Sequence, residues 1–399
     1  MSPCCTRRQA IQISIQSGLG LFAGGFFSSL GAVTVEVNPG MSPSTIFSIL
    51  AALKPGDTCV WRGGIYAFEL MNVIPGGTSW SAPVTLRAAA GEKPIIKPNS
   101  GARCISIVDS SHSYIIIDGF VLDADNVSYD AFKVTWSSNP STAAHHVRLM
   151  NSEVKNAYGN GILTTDAHYC EFIRNDIHHN GHSNQEHGLY LASSYSLVEE
   201  NLMHDNYMGG VHCYRDGGGL KNNIIRRNRT WHNFNPASPT PGNNADFMVG
   251  SGSGHQVIDN DSSDNPVGGM VIEYGSSDVM VQGNRVSNIR GVGLKVGPAA
   301  IRTTVKNNYV CSSAIPYQNT GSGTIDGGGN SFTSGACSGG APPPPPINVD
   351  VTQIPVVTQP PTSSVSPITS YSPGPTTAGV SAPFLIAGVI GAALLLGGD

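Results

Sequence analysis

Charged and aromatic side chains are scarce in this sequence. Charged residues make up 12% and aromatic residues 7% of the 399 residues, whereas 48 residues are glycine. A helical bundle needs many Ala, Leu, Glu and Lys residues, so this composition argues against one and favours an all-β protein with many turns. The formal net charge is −5 and no long basic run is present. Nucleic acid is therefore not an expected partner.

Zinc-binding motifs are also missing. None of the eight cysteines forms a Cys-x-x-Cys pair, and the histidine-rich segment 175–188 has no His-Glu-x-x-His spacing. Six cysteines remain once Cys4 and Cys5 leave with an export signal, and in an exported chain they can form disulfides whose pairing stays open. Cys311 and Cys337 lie near the end of the expected folded region. A bond between them would staple its last turns.

The two ends differ in composition from the middle. Residues 1–32 contain two arginines before a weakly apolar stretch and small residues, which is typical of an export signal. Residues 341–381 are rich in Pro, Ser and Thr and are expected to form an extended linker. Residues 382–399 form an apolar tail that is short for a membrane span. The folded domain is therefore expected at residues 33–340.

The two ends of the chain resemble two targeting signals that exclude each other. Thr6-Arg7-Arg8 resembles a twin-arginine export signal, which indicates a bacterium. The polar linker, its small residues and the apolar tail resemble a glycolipid-anchor signal, which indicates a eukaryote. A short tail anchor and a packed terminal helix are the other interpretations of the tail. The protein is expected to be secreted or on the cell surface, with the tail as a candidate membrane attachment.

A repeat of about 24 residues runs through the middle of the chain. In each repeat a small residue precedes an alternating apolar pair, in AFKV (131–134), GILT (161–164), GLYL (188–191), GVHC (210–213), DFMV (246–249), GMVI (269–272) and GLKV (293–296). An asparagine follows a second apolar stretch, at Asn151, Asn175, Asn201, Asn228, Asn260, Asn284 and Asn308. One such unit cannot bury its apolar face, but stacked units share a continuous core. The repeat predicts a parallel β-helix of about eight to ten coils over roughly residues 34–340.

Two segments near the amino terminus resemble a known family. They are TIFSILAALKPGDTCVWRGGIY (45–66) and APVTLRAAAGEKPIIKP (82–98). Together with the repeats, they resemble the right-handed parallel β-helix proteins of the pectate-lyase-like group. The resemblance implies an all-β solenoid with an N-terminal helical cap and with Asn side chains stacked from coil to coil. It does not select an activity, because this fold carries lyases, hydrolases, epimerases and adhesins.

Alternate side chains of the first strand in each repeat are expected to face outward. Neighbouring coils lie about 4.8 Å apart, so outward residues of successive repeats come together. With Leu189 and Leu191 inward, the outward positions form one polar patch made of Tyr190, His212, Tyr214, Asp246, Glu273 and Lys295. At its rim lie Glu186, His187, Arg215 and Asp216. A merely solvated face would instead favour Thr, Ser, Lys and Asn.

The residue types of this patch suit β-elimination in an acidic polysaccharide. Removing the proton beside a uronate carboxylate needs a base, a cation to neutralise the carboxylate and an acid for the leaving oxygen. The predicted catalytic residues are Lys295, His212, Tyr214, Arg215 and His187. The predicted substrate-binding residues are Tyr190, Glu186 and Lys133. By resemblance to lyases of this fold, which bridge the substrate carboxylate with calcium, the candidate calcium ligands are Asp216, Asp246 and Glu273.

The first interpretation is therefore a monomeric lyase that acts on a uronate-containing polysaccharide. A non-catalytic carbohydrate-binding or adhesive solenoid fits the linker and tail equally well. A C5-epimerase stays open because Gln-Glu-His-Gly (185–188) resembles the acidic-His motif of alginate epimerases, although their Asp-Pro-His is absent. A glycoside hydrolase of the polygalacturonase type is disfavoured because the sequence has no Asp-Asp pair and no Gly-His-Gly segment.

Overall fold

The computed structural model describes residues 31–182, 185–234 and 244–337, which form three long sheets. Sheet 1 consists of Thr34–Val37, Thr58–Trp61, Val84–Ala88, Ile115–Asp118, Val147–Met150, Glu171–Ile173, Leu197–Glu199, Ile224–Arg226, Gln256–Ile258, Met280–Gln282, Thr304–Lys306 and Ile325–Asp326. Sheet 2 consists of Leu70–Met71, Ile105–Val108, Phe132–Thr135, Ile162–Thr165, Leu189–Ala192, Val211–Cys213, Ala245–Val249, Gly268–Ile272, Val292–Val296 and Ile315–Asn319. Sheet 3 consists of Gly64–Tyr66, Pro94–Ile96, Val121–Asp123, Glu153–Lys155, Asp176–His178, Leu202–His204, Arg229–Trp231, Asp261–Ser263, Arg285–Ser287, Tyr309–Cys311 and Ser331–Phe332. Two short strands, Gly252–Ser253 and Ser276–Ser277, pair separately.

The chain winds repeatedly through these three sheets. It passes through sheet 1, sheet 3 and sheet 2 in turn, and each strand pairs in parallel with the equivalent strand of the next coil. The predicted all-β parallel β-helix is therefore confirmed. It has about 11 turns, slightly more than the eight to ten expected from the sequence. The first coils, before residue 131, lack the repeat pattern from which the turns were counted.

One α-helix, Pro43–Ala52, occurs among the described residues. It begins after Ser42, whose hydroxyl accepts a hydrogen bond from the Thr45 backbone N–H at 3.2 Å, and proline occupies its first turn. Ile46 and Leu50 are fully buried and belong to the core of the solenoid. The helix thus covers apolar surface at the amino-terminal end, as the predicted helical cap requires. Two short 3₁₀ helices, Ser110–His112 and Pro140–Thr142, lie in connections.

Asparagine side chains stack inside the corner between sheets 1 and 3. The side-chain amide of each donates to the side-chain oxygen of the next at 2.9–3.1 Å, along Asn175, Asn201, Asn228, Asn260, Asn284, Asn308 and Asn330. The predicted ladder is therefore present, but the place given to Asn151 is wrong. Asn151 has a left-handed backbone, with φ of 50°, and Ser152 holds the ladder position beside Asn175. Asn is favoured in both settings, so residue type alone could not separate them.

A second ladder, which the sequence analysis missed, lies in the corner between sheets 3 and 2. It runs from Asn180 through Asn206 to Asn233, with amide-to-oxygen distances of 3.0 and 2.9 Å. Each member follows a member of the first ladder by five residues, as 180 follows 175. A three-residue strand of sheet 3 fits between the two corners. This fixed spacing was the signal in the sequence.

The disulfide suggested for the two cysteines near the carboxyl-terminal end of the solenoid is present. Cys311 and Cys337 form a disulfide, whereas Cys59, Cys104, Cys170 and Cys213 are free and buried. The linker (341–381), the apolar tail (382–399) and all but the last two residues of the export signal (1–32) lie outside the described residues. No helix among the described residues is long and apolar enough to cross a membrane.

Candidate functional site

The outward column of sheet 2 has the predicted register. Cα partners in successive strands run from Lys133 to Leu163, Tyr190, His212, Met248, Val271 and Lys295. Leu189 and Leu191, on either side of Tyr190, are fully buried in the core. The alternation of inward and outward side chains explains why the pattern located this column correctly.

Close packing explains the glycines that precede Ile162–Thr165 and Leu189–Ala192. A Cβ atom on Gly161 would lie 2.7 Å from the Asn180 side-chain amide, and one on Gly188 would lie 2.8 Å from that of Asn206. These glycines therefore leave room for the second Asn ladder. The backbone approach, not a left-handed conformation, requires glycine at these positions.

Asp246, predicted to face outward as a calcium ligand, lies inside the coil. Its side chain is fully buried and accepts hydrogen bonds from Asn233, Asn265 and Ser262 at 3.0, 3.2 and 2.7 Å. Phe247 also packs in the main core, whereas Ala245 and Met248 form a separate outer cluster. Two consecutive inward residues break the strict alternation, which is why the predicted orientation of Asp246 was wrong.

The predicted patch is divided into two parts. Met248 and Val271 are buried and apolar, and they lie between His212 and Lys295 in the outward column. Lys295 forms an ion pair with Glu273 at 2.8 Å. Lys295 thus lies three strands from His212, about 14 Å at the usual strand spacing, and pairs with Glu273, which directly follows the nearest of the strands between them. The structure does not bring Lys295 together with the other predicted catalytic residues.

The three candidate calcium ligands do not share one site. Asp246 is internal, Glu273 is paired with Lys295, and Asp216 lies beside Tyr214 and Tyr190, whose pKa values its charge helps to raise. Within residues 31–182, 185–234 and 244–337, no group of three His, Cys, Asp or Glu side chains is arranged to hold a metal ion. These ligands therefore do not fit a calcium site.

His187 and His212 form a buried pair at the centre of the remaining cluster. Nε2 of His187 lies 3.0 Å from Nδ1 of His212, and the residues are 1% and 7% exposed. Burial, and then the neighbouring His212, lower the pKa of His187 well below its usual range. Burial lowers the pKa of His212 to about 3. Both rings are neutral near pH 7, so one nitrogen of the contact donates a proton and the other accepts it.

Each histidine keeps one ring nitrogen without a hydrogen-bond partner in the described part of the chain. These atoms are Nδ1 of His187 and Nε2 of His212, and both are buried. Buried polar atoms are normally satisfied, so such an exception needs an explanation. A ligand that binds against the cluster would supply the missing partner.

Two tyrosine rings lie against this pair. The Tyr190 ring packs edge-on against His212, with centroids 4.7 Å apart, and the Tyr214 ring stacks on His212 at 5.4 Å. Burial, and then the Asp216 carboxylate, raise the pKa of the Tyr190 hydroxyl. This hydroxyl therefore keeps its proton at neutral pH.

A chain of hydrogen bonds that the sequence analysis did not identify supports His187 from behind. The His187 backbone N–H donates to the Asn160 side-chain oxygen at 2.8 Å, and the Asn160 amide donates to Asp130 at 3.0 Å. Asp130 in turn lies 3.5 Å from Arg103. These residues precede sheet 2 strands in successive coils, so the contacts follow from coil stacking.

Arg215 reaches across one coil to an acidic residue that was also missed. Its guanidinium lies 2.9 Å from Asp166 Oδ1, and the Trp136 indole N–H donates to Asp166 Oδ2 at 3.1 Å. Trp136 and Asp166 immediately follow equivalent sheet 2 strands. Extending the outward column by one residue past the strand ends would have revealed them.

Lys133 and Glu186 are the other two predicted substrate-binding residues. Lys133 lies two strands from Tyr190, about 10 Å at the usual strand spacing. Burial, and then the charge of Arg103, lower the pKa of Lys133, and no ion pair among the described residues includes it. Glu186 precedes His187, and its carboxylate accepts the backbone N–H of His182 at 2.8 Å.

A cavity of about 430 Å³ adjoins the cluster. It is lined by Tyr214, Arg215, Lys221 and Tyr274 together with glycines 217–219. A larger cavity of about 960 Å³ lies near the disulfide, lined in part by His232, and contains none of the predicted site residues. We place the candidate site at the cluster and the smaller cavity beside it, because Tyr214 both lines this cavity and stacks on His212.

Solved structures of several carbohydrate-active and viral proteins resemble this chain. ORF18 of Geobacillus virus E2 has 12% identity and a TM-score of 0.56, over 73% of this chain and 60% of that chain. An alginate lyase from Paenibacillus sp. str. FPU-7 has 13% identity and a TM-score of 0.54, over 74% of this chain and 99% of that chain. The A-module of the mannuronan C-5 epimerase AlgE4 from Azotobacter vinelandii has 17% identity and a TM-score of 0.47, over 65% and 70%. At these identities the similarity concerns the fold, and this chain spans only 60% of the length of ORF18.

Sequence comparison identifies the family. No curated protein matches the chain. The family model for the right handed beta helix region matches residues 99–235 and 137–336, which together cover 99–336, more than half of the 399 residues. The strands of all three sheets within this range stack in parallel from coil to coil. The chain therefore belongs to the right-handed β-helix family.

Proposed function

We propose that this protein is a lyase that cleaves a uronate-containing polysaccharide by β-elimination at the cluster around His212. The observation that carries the proposal is the buried, unpartnered Nε2 of His212 next to the Tyr190 ring. A neutral imidazole and a protonated phenol supply the base and the acid that the reaction needs. The similarity in fold to an alginate lyase supports the proposal at the level of fold.

In the proposed reaction, Nε2 of His212 takes the proton from C5 of the uronate. The electron pair of that C–H bond forms the C4–C5 double bond, and the bond between C4 and the glycosidic oxygen breaks. The Tyr190 hydroxyl gives its proton to the leaving oxygen. His187 is a positioning residue, because it accepts the Nδ1 proton of His212 across their 3.0 Å contact and so keeps the lone pair on Nε2.

The electrostatics of the cluster favour these roles. His212 is neutral in the free protein because its pKa is lowered to about 3. A bound uronate brings a negative charge that raises this pKa and so strengthens the base when substrate is present. Because Nε2 is covered, we propose that substrate enters from the adjoining cavity and displaces the ring of Tyr214, which lines that cavity and stacks on His212, while Tyr190 keeps its contact with His212.

Two cations are placed to hold the substrate carboxylate. Lys133 has no ion-pair partner in the part of the chain that the structure describes, and it stands on the same outward column as Tyr190. Arg215 lines the adjoining cavity and is held by Asp166. Neutralising the carboxylate stabilises the negative charge that develops when the C5 proton leaves.

The test is ultraviolet absorbance of the unsaturated uronate product, with polyuronates as substrates and with or without calcium. His212→Ala and Tyr190→Phe are expected to lower kcat by at least about 100-fold, the lower range for general acid–base groups. Unchanged kcat in both variants would contradict the proposal. Solvent deuterium at C5 without a double bond would identify an epimerase, and binding without either reaction would identify a carbohydrate-binding solenoid.

A matched pair of lysines checks the position of the site. Lys133 and Lys295 occupy the same outward column, each three strands from His212, but Lys133 is two strands from Tyr190 and Lys295 is four strands from it and paired with Glu273. Lys133→Met is expected to raise KM by about tenfold, equivalent to about 1.4 kcal/mol, whereas Lys295→Met leaves KM unchanged. The reverse result would move the site to the Glu273–Lys295 pair.

We further propose that the protein works outside the cytoplasm, secreted or at the cell surface. The disulfide between Cys311 and Cys337 supports this, because such bonds persist in oxidising compartments. Cell fractionation with an antibody against the folded domain tests it. Recovery of the chain in the cytosol with both thiols reduced would contradict it.

A further inference from the structure

We infer that the substrate is a polymer whose uronate has its C5 hydrogen and its C4 oxygen on the same face of the sugar ring. This inference rests on the proposed function and specifies its substrate class. It comes from the short distance between the two groups that would move the protons. The Tyr190 and His212 ring centroids are 4.7 Å apart.

The distance decides between two stereochemical courses. If the C5 hydrogen and the C4 oxygen point to opposite faces, the base and the acid must lie on opposite sides of the sugar ring. A ring held between them needs two van der Waals contacts, about 7 Å in total. Tyr190 and His212 are already in contact, so no sugar ring fits between them. If they act as a pair, both must approach the substrate from one side.

The placement of the two side chains agrees with approach from one side. Tyr190 and His212 are Cα partners in neighbouring strands of sheet 2, and both belong to its outward column. Lys133 projects from the same column two strands away. A polysaccharide lying over this sheet therefore meets its base, its acid and one cation on a single side.

The configuration of the uronate determines which polymers fit a base and an acid that lie on the same side of the sugar ring. In D-glucuronate and D-mannuronate linked through O4, the C5 hydrogen and the C4 oxygen lie on the same face. In D-galacturonate and L-guluronate they lie on opposite faces. The site is therefore matched to glucuronate or mannuronate polymers and mismatched to the other two.

The experiment compares elimination by the full-length protein on four polymers: polyglucuronate, polymannuronate, polygalacturonate and polyguluronate. Initial rates are read from the ultraviolet absorbance of the product. We expect elimination on at least one of the first two polymers to exceed that on either of the last two by at least about tenfold. Tyr190→Phe should abolish most of this activity while the folded circular-dichroism spectrum is kept.

The outcomes separate this inference from the proposed function. Elimination on polygalacturonate or polyguluronate at an equal or higher rate would overturn the same-face inference and leave the lyase standing. No elimination on any of the four polymers would overturn the lyase itself. Preference for the expected polymers with full activity in Tyr190→Phe would show that another group donates the proton, which also overturns the inference.

Discussion

At the residue scale, the Asp246 carboxyl group has an environment unlike that of the other acidic residues near sheet 2. It is fully buried and accepts hydrogen bonds from Asn233, Asn265 and Ser262. Burial raises its pKa to about 7, although these hydrogen bonds oppose the shift. Its Oδ1 oxygen bridges Asn233 and Asn265, which belong to neighbouring coils. The role that these contacts indicate is structural.

The raised pKa of Asp246 predicts how the stability of the protein depends on pH. The folded-state pKa of Asp246 lies above the unfolded value of 3.8. The contribution of this carboxyl group to the free energy of unfolding is therefore fully present below pH 3.8 and is lost as pH rises to about 7. Each pKa unit corresponds to about 1.4 kcal/mol, so the loss is up to about 4 kcal/mol. Asp246→Asn should remove this loss and unfold at higher urea concentration than wild type at pH 8. A variant that is less stable than wild type at pH 8 would contradict the assignment.

The low pKa of His212 predicts the pH dependence of the proposed activity. A histidine base with its usual pKa of 6.5 would lose about thirtyfold in kcat/KM between pH 8 and pH 5. Burial lowers the His212 pKa to about 3, so the neutral base persists at pH 5 and kcat/KM should fall by less than about threefold. Initial rates across this range, with circular dichroism to confirm folding, provide the measurement. An acid limb centred near pH 6.5 would point to a different base.

At the element scale, hydrogen bonds of the Asn ladder join the corner of each coil to the equivalent corner of the next coil. Asn284 donates to Asn308 at 2.9 Å and to the Val257 carbonyl at 2.8 Å, and its oxygen accepts the Asn260 backbone N–H. All these groups are buried, so removing the amide leaves several of them without partners. Such losses typically cost about 1–3 kcal/mol each.

Asn284→Ala should therefore lower the free energy of unfolding by about 2–4 kcal/mol. The matched control is Asn307→Gly, since Asn307 is exposed, lies outside the ladder and has a φ of 54° that glycine tolerates. The control should lose less than about 1 kcal/mol. Urea unfolding followed by circular dichroism distinguishes the two. Equal losses would mean that the ladder adds nothing beyond an ordinary surface asparagine.

At the scale of the whole molecule, each coil contacts mainly its neighbours, so damage at one end should stay local. The Cys311–Cys337 disulfide secures the last coils, whereas the candidate site lies in the middle coils, around Leu189–Ala192. A solenoid transmits little between such distant coils unless a shared element moves.

Cys337→Ser tests this separation. Hydrogen exchange is expected to rise in Tyr309–Cys311 and Ser331–Phe332, because the loop closed by the bond is no longer constrained. Exchange in Leu189–Ala192, and the proposed elimination rate, should stay within about twofold of wild type. Faster exchange throughout sheet 2 would show that the solenoid unfolds as one cooperative unit instead.

Much of the architecture could be read from local pattern. The repeat period, the glycine before several sheet 2 strands and the alternation around Tyr190 specified the β-helix and the outward column from Lys133 to Lys295. The helical cap, found at Pro43–Ala52, was implied by the family resemblance of residues 45–66. These features depend on residues close together in the sequence, so periodicity captures them.

The composition of the site was decided by contacts between coils. The inward turn of Asp246, the pairing of Lys295 with Glu273 and the meeting of Arg215 with Asp166 join residues that are far apart in the chain. The sequence by itself determined the fold and the strand register, because alternation and turn spacing are local properties. Only the tertiary structure decided which polar residues share a site. One extra inward residue, or one buried apolar neighbour between two coils, is enough to separate groups that the repeat alone places side by side.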